Sequence, residues 1–571
     1  MRDFTTSVDL CYWRTHDHPS WNRAEKAFAQ TFRDDPVAAL QRFRSLYTSR
    51  KTPRIALGSE LMSCAIVLGD FFTALDEKMD MDRRHFPIDN PEDIGVPQWR
   101  ACASSGFPVL LMDMASDDRL FDEEEPWADC ILHMLYGVTY VWREQLLPNH
   151  FVGPGKPPLP DDTASRFLDR VQPFLANLWK NRQQATRECG ELNLRCKTIQ
   201  NLLRELYKLC INKFQRVDTM KDTKLAHIDI LFFAVGSPLH IASPQIVGSG
   251  IWGMELFMNL YAQESLRKSG GAGMLERFVT DGIDPERILN AFAVLMGDHG
   301  RREMADRQLK HTLHCLTFFI TDTSGAYLDA MCSVPLIHSV AMSLQRQERY
   351  GIVDYGQDNL EMWSISAMIL RTLFDLLVER VDGPKMHGED VLYILTRGIN
   401  LCASYVKFPG LKLDTRKLLK DMLGALSENV TLWRQAVQDS ITEESSTINE
   451  VVLEQLRESA RLNWYPSLSD LRDTQKELES ISSPATTSII RNWEQLGRHL
   501  GCDEITERKR VEGQRRRMCA WSSCKYHRMP APASLRSCGG CGERKYCSTE
   551  CQRSDWKEGG HKSRCRRIKS A

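Results

Sequence analysis

The chain has 571 residues, 42% of them apolar and 26% charged, with a formal net charge of −1. That composition excludes a fibrous or mostly disordered protein, and the length suits three or four ordinary domains of roughly 150 residues. The near-balance of charge hides an asymmetry: residues 507–571 carry 18 Lys and Arg against 6 Asp and Glu, an excess of +12, which leaves −13 on residues 1–506 and predicts two parts with different tasks.

The N-terminus, MRDFTTSVDLCYWRTHDH, has no apolar core of the kind that directs secretion, so a cytoplasmic or nuclear protein is expected, and not a secreted one. His16-Asp17-His18 reads as a solvated loop. Asp35-Pro36 and Asp284-Pro285-Glu286 each set a capping carboxylate before a proline suited to the first turn of a helix. From Cys196, apolar residues recur at Ile199, Leu203, Leu206 and Cys210, one face of a helix. The longest uncharged run, Ile230–Met254, contains Pro238, Pro244 and four glycines. A membrane helix needs about 20 mainly apolar residues without such breaks, so two helices around a turn are expected and no membrane contact. His311, His314 and Cys315 lie one turn apart, but with no second pair of ligands they read as a packed helix face. Ile365, Ile369, Leu373, Leu376 and Leu377 form a further stripe; Leu418, Leu419, Met422, Leu423 and Leu426 form another, with Asp414 as its expected cap.

The pattern is helical nearly throughout, with period-two strand signals sparse. Breaks fall at Gly153–Pro160, Lys268–Gly273, Val381–Gly388 and Thr442–Thr447. A mainly α fold is therefore expected: a large helical body over 1–506, with an internal break near 153–160. Stacked helix pairs, as in armadillo or HEAT solenoids, suit a body too long for one core, with an irregular pair of helical domains as the alternative. No motif recurs at fixed spacing. Residues 507–518 read as a basic linker and 566–571 as a basic tail.

No enzyme is expected. The body has no GxxxxGK[ST], GxSxG or HExxH, and no kinase motif set. Gly271-Ala272-Gly273 opens like a dinucleotide loop, but Glu276 stands where the third glycine belongs.

The chain has 18 cysteines. Eleven are scattered over the first 518 residues in apolar helical context, as buried hydrophobes of a reducing compartment. Seven fall in the last part, in the order Cys519-x4-Cys524-x13-Cys538-x2-Cys541-x5-Cys547-x3-Cys551-x9-His561-x3-Cys565. Seven thiols and one imidazole in four close pairs fill two tetrahedral zinc sites with no ligand to spare, so the two Zn2+ are structural and not catalytic. A disulfide framework would leave one cysteine over. So short a segment has little else to fold around, and metal binding supplies its folding free energy, about 10–16 kcal/mol per zinc in small fingers.

Residues between the ligands carry a family resemblance. The string Lys545-Tyr546-Cys547-Ser548-Thr549-Glu550-Cys551-Gln552, followed by Asp555-Trp556, His561 and Cys565, closely resembles the MYND-type zinc finger over Cys519–Cys565. The resemblance implies an interleaved, cross-brace arrangement. Cys519, Cys524, Cys547 and Cys551 would hold one zinc, and Cys538, Cys541, His561 and Cys565 the other. It departs from the family in the first pair, which is usually spaced by two residues and here by four; His527 is the nearby substitute for Cys524. The resemblance also implies a protein-interaction module that holds a short, proline-rich peptide. Gln552 and Trp556, four apart on one helix face, would line its groove. The alternative for Trp556 is the core of the little domain.

The expected function is thus a zinc-binding adaptor, with the finger recognising a partner peptide and the helical body as scaffold. This body-plus-finger layout resembles fungal MYND proteins, one group of which serves ubiquitin ligases. The alternative is a nucleic-acid-associated transcriptional regulator, using the basic runs Arg508–Arg510 and Arg515–Arg517 before the finger and Arg564, Arg566, Arg567 and Lys569 after it. Those flanks interleave no aromatics, so solvated flanks are the expectation and nucleic acid is not the expected partner. A lysine methyltransferase is the third reading. Asn149-His150 opens like the SET signature NHSC, but Phe151-Val152 follows, and the finger is terminal instead of inserted.

Overall fold

The structure is a computed structural model. It describes residues 17–50, 55–56, 58–85, 96–122, 125–146, 161–186, 194–213, 225–236, 278–297, 306–321, 325–350, 357–380, 383–407, 411–442, 448–521, 524–527 and 531–565. His16, Asn149, His150, the expected breaks at 153–160 and 268–273, residues 237–254 and the basic end at 566–571 lie outside these. The chain divides into two compact units, Met1–Ser343 and Leu344–Ala571.

In the first unit, helix starts follow the capping chemistry of the sequence. Asn22 and Glu25 form a capping box: the Asn22 side chain accepts the Glu25 N–H at 3.0 Å, and Glu25 accepts the Asn22 N–H at 2.7 Å, opening the helix Arg23–Asp34. Asp35 opens Pro36–Thr48, accepting the Ala38 N–H at 2.9 Å; Asp284 opens Pro285–Met296, accepting the Glu286 N–H at 3.1 Å. Both expected caps are in place.

The helices Arg23–Asp34, Glu60–His85, Glu125–Leu146, Leu194–Tyr207, Leu225–Gly236, Pro285–Met296 and Gly325–Ser333 form a row in which each packs on the next. Pro36–Thr48, Val96–Ser104, Phe107–Ala115 and Asp161–Asp169 form a second row. Consecutive helices do not alternate regularly between the rows, since Val96–Ser104 and Phe107–Ala115 both lie in the second, and the intervals between members vary, so no fixed-length repeat accompanies them. Within the first row Phe32 stands edge-on to Phe71 at 5.2 Å, and the rows meet where Phe72 stacks on Phe107 at 6.4 Å. Gly137 lets two long helices approach: a Cβ there would lie 2.8 Å from Phe72. The stripe Cys196, Ile199, Leu203, Leu206 and Cys210 is buried, although Cys210 sits in a π-helical turn, Lys208–Lys213, that continues the α-helix. His314 is exposed while Cys315 is buried, so the two point to different sides of their helix.

In the second unit, Gln357–Glu379, Leu413–Thr442 and Gln475–His499 pack in one row, and Gly388–Tyr405, Glu450–Asp473 and Glu504–Arg515 in another. Ile365, Ile369, Leu373 and Leu376 are buried as expected, with Leu377 half-buried; Leu419, Met422, Leu423 and Leu426 are buried, with Leu418 half-buried. The expected cap at Asp414 is corrected: the helix already begins at Leu413, so Asp414 lies in its first turn, where its charge still favours the helix N-terminus.

Two tryptophans lock Glu450–Asp473 to Gln475–His499. Trp464 donates its indole N–H to the Trp493 carbonyl at 2.8 Å, and Trp493 returns the bond to the Trp464 carbonyl at 3.2 Å. Gly497 leaves room for this: a Cβ there would stand 2.1 Å from the Trp464 ring. Gly497→Ala is expected to cost about 1–3 kcal/mol through overpacking, more than the ~1 kcal/mol that alanine returns in helix propensity. The urea midpoint of this unit checks it, and an unchanged midpoint would mean that the Trp464 ring moves freely.

Most of 507–518, expected as a linker, belongs to the helix Glu504–Arg515. Asp503 caps it by accepting the Thr506 N–H at 2.8 Å, and Glu507 and Val511 bury one face of it. Arg508 donates to the Tyr465 hydroxyl at 2.7 Å. Its charge density hides it as a linker, because polar contacts hold it where an apolar stripe would be expected. No single helix among the described residues is long and apolar enough to cross a membrane; one bent pair, Ala326–Ser333 with Leu336–Glu348, passes that test together.

Candidate metal centre

The eight ligands sit on four short pieces of backbone. The two-residue strands Arg536–Ser537 and Lys545–Tyr546 pair antiparallel, Arg536 opposite Tyr546 and Ser537 opposite Lys545. The tight turn between them offers Cys538 and Cys541. It is closed by the Cys538 N–H on the Arg544 carbonyl at 2.7 Å and the Gly542 N–H on the Cys538 carbonyl at 2.8 Å. Gly542 takes a left-handed conformation, φ 67°, which glycine adopts without strain. The second strand leads to Cys547, and Ser548 caps the helix Thr549–Lys557 by accepting the Cys551 N–H at 3.2 Å. Cys551 therefore stands in the first turn. At the other end Gly560, φ 69°, reverses the chain so that His561 and Cys565 return to the turn.

The structure brings the side chains together in two fours. Cys519, Cys524, Cys547 and Cys551 form one, and Cys538, Cys541, His561 and Cys565 the other, the ligand atoms of each within 4.8 Å of one another. The grouping interleaves along the chain, as the resemblance implies. Sulfur separations are 3.4 Å for Cys524–Cys547, 3.6 Å for Cys547–Cys551 and 4.0 Å for Cys538–Cys565. His561 turns Nε2 inward, 3.3 Å from the Cys538 sulfur and 3.7 Å from that of Cys541. A tetrahedral zinc with bonds of about 2.3 Å to sulfur sets its sulfur ligands about 3.8 Å apart. A disulfide would draw them to about 2.05 Å. The two clusters fit two structural zinc ions, and every place in each tetrahedron is taken by protein. Zinc would there neutralise thiolates and tie four chain segments together.

Four sulfurs this close resist ionising together. The Cys547 thiol is pushed up, by burial first and then by its bonds to Cys524 and Cys551. Cys538 is drawn down to about 6: burial opposes the shift, and the Cys541 backbone and His561 outweigh it. A divalent cation among them removes the conflict.

His527 does not join either four. Its Nδ1 lies 2.9 Å from the Cys519 carbonyl oxygen, and the longer first spacing is taken up by a short turn that returns Cys524 to the cluster.

Beneath the clusters lies a polar contact that the sequence did not disclose. The Tyr546 hydroxyl donates to Asp555 at 2.7 Å, and Arg544 donates to the same carboxylate oxygen at 3.2 Å. Tyr546 is fully buried and Asp555 is 2% exposed. Burial, then the bond to Asp555, pushes the Tyr546 hydroxyl far up, so it stays a donor. Asp555 lies four residues after Cys551, which puts it on the ligand-bearing face; that spacing was the available signal. Tyr546→Phe is expected to cost about 1.5–3 kcal/mol, the range for a bond to a charged group. It should speed amide exchange in the finger with zinc content unchanged. Unaltered exchange would make the bond dispensable.

Gln552 and Trp556 follow on the same helix. Gln552 is half-buried, and Trp556 is 38% exposed, the only exposed aromatic among the described residues. The finger's buried centre is Cys519, Cys538, Cys541 and Tyr546. Trp556 is thus not a core residue; its ring rests edge-on against His561 at 5.8 Å.

Residues 519–565 match the family model of the MYND finger. This part of the chain is a MYND finger, a zinc-binding protein-interaction domain. No curated protein and no solved structure matches the chain.

Proposed function

We propose that the chain is a non-enzymatic adaptor. The finger holds a short partner peptide against Gln552 and Trp556, and the helical rows act as a solenoid-like scaffold. The observation that carries this is Trp556, left exposed at 38% on a helix whose other side is pinned by Cys551 and Asp555. An apolar ring of that size, held rigid at the surface, suits a proline-containing segment, whose extended form is already ordered before binding. Zinc–thiolate clusters persist where thiols stay reduced, so we place the chain in the cytoplasm or nucleus.

The test is quantitative partner capture from nuclease-treated extract, comparing the full chain with Trp556→Ala at equal zinc content. Specific proteins that vanish with Trp556→Ala support the reading. An identical partner list would sink it and move the search to the helical rows.

A further inference from the structure

The surface around Trp556 carries more cations than carboxylates. On a helix of 3.6 residues per turn, Gln552 and Trp556 share a stripe, and Arg553 and Lys557 stand one step round from it, toward solvent. Both are exposed. Lys562, also exposed, follows His561, whose ring lies 5.8 Å from that of Trp556. None of the three makes an ion pair among the described residues, whereas Arg544, on the buried side, is bound to Asp555 at 3.2 Å. Glu550 lies beside Arg553 and Arg536, whose charges help hold its carboxyl below the usual range after its backbone and Ser548 bonds. Across 519–565 there are nine Lys and Arg against four Asp and Glu. Seven thiolates and two zinc ions bring that +5 to +2.

Lys557 and Lys562, which have no carboxylate partner among the described residues, and Arg553, which faces Glu550, flank the exposed tryptophan and define what fits. We infer that the Trp556 face selects a peptide segment with carboxylates flanking its apolar residues. This rests on the reading of the finger as a peptide-binding module. A glutamate or aspartate next to the residue stacked on Trp556 reaches Arg553 or Lys557 as a charge-assisted hydrogen bond. A basic segment meets like charges there and is rejected. A nucleic acid would find cations too, but a single-strand platform stacks successive bases on successive aromatics, and here one ring is exposed.

The experiment selects ligands for the zinc-loaded full chain from a random peptide library displayed on phage. It compares wild type, the triple variant Arg553→Gln, Lys557→Gln, Lys562→Gln, and Trp556→Ala, with zinc measured in each. None of the substituted residues is a metal ligand, and the zinc content of each variant reports whether its finger is folded. Wild type is expected to enrich acidic peptides. The triple variant should lose that preference and weaken an enriched peptide about tenfold, the sum of three modest exposed pairs. Raising salt from about 0.1 M to about 1 M, which cuts the screening length from about 10 Å to about 3 Å, should do the same to wild type. Enrichment of neutral or basic peptides, or an acidic preference that survives the triple variant, overturns this inference and leaves the peptide reading standing. The same peptides enriched by Trp556→Ala, or none by wild type, overturn the peptide reading itself. Displacement of the acidic peptide by an equal concentration of poly-dT assigns the cations to nucleic acid and also overturns the inference.

Discussion

Chelation of both zinc ions is expected to unfold residues 519–565 and leave the helical rows of the second unit folded. The finger's own cluster of buried residues is Cys519, Cys538, Cys541 and Tyr546, and three of those four are ligands. Without metal, apolar burial there falls well short of the ordering entropy of some forty residues at about 1–2 kcal/mol each. Metal binding, at about 10–16 kcal/mol per structural zinc in small fingers, is the main favourable contribution the finger has. The helical rows have their own core, with Trp433, Trp464 and Trp493 buried and remote in sequence from the ligands. The measurement is hydrogen exchange with zinc content recorded alongside. Protection should vanish across 519–565 and persist through Gly388–Tyr405, Leu413–Thr442 and Glu450–Asp473. Cys541→Ser should reproduce the loss in the finger alone. Retained protection of the finger after zinc is gone would show that its peptide framework folds unaided, and would remove the structural role of the metal.

That expectation was legible before any coordinates because metal ligation leaves a local mark. Tetrahedral zinc needs thiol and imidazole groups in close pairs, and four such pairs fall within Cys519–Cys565. Their division into two interleaved fours was not legible from spacing, since it depends on how the Cys538–Cys541 turn folds over the helix Thr549–Lys557. The resemblance implied it. Trp556 shows the opposite limit. An apolar residue in a tiny domain reads as core, yet the helix turns Asp555 inward instead, because Tyr546 and Arg544 satisfy a buried carboxylate. Composition ranks the two residues the wrong way round, and only their angular positions relative to Cys551 correct it.

In the helical rows, capping chemistry and apolar stripes were readable, as Asp35, Asp284 and the Leu419–Leu426 stripe demonstrate. Neighbour order was not. Close approaches such as those at Gly137 and Gly497 depend on a missing side chain, and glycine inside a helical pattern carries no label for its partner. The helix Glu504–Arg515 escaped for a related reason. Its hold on Tyr465 is a hydrogen bond from Arg508, and a hydrophobic period does not register polar contacts.

Glu205→Leu is expected to destabilise the first unit by about 3–5 kcal/mol, the cost of stripping one partner from a buried ion pair. Glu205 is wholly buried at the end of Leu194–Tyr207 and meets Arg143, Arg204 at 2.9 Å and Lys208 at 3.4 Å. Arg204 and Lys208 are 23% and 32% exposed and can turn to water, but Arg143 is 13% exposed, so the uncompensated charge falls chiefly on it. The pairing Arg143→Met with Glu205→Leu should recover much of the loss, because an apolar pair of similar volume often replaces a buried ion pair without penalty. The carboxyl of Glu205 is held below its ordinary value: burial raises it, and Arg204, Lys208 and Arg143 outweigh that. A depressed carboxylate contributes stability that is complete above its unfolded pKa, near 4.3, and is lost as pH falls through the lower folded value. Wild type should therefore lose stability in acid more steeply than the double variant. Denaturant midpoints for the first unit, followed by hydrogen exchange at neutral and acid pH, measure both effects. Equal midpoints for Glu205→Leu and wild type would mean that Arg143 finds solvent when its partner is gone, and that the cluster shapes the π-helical turn Lys208–Lys213 without stabilising the unit.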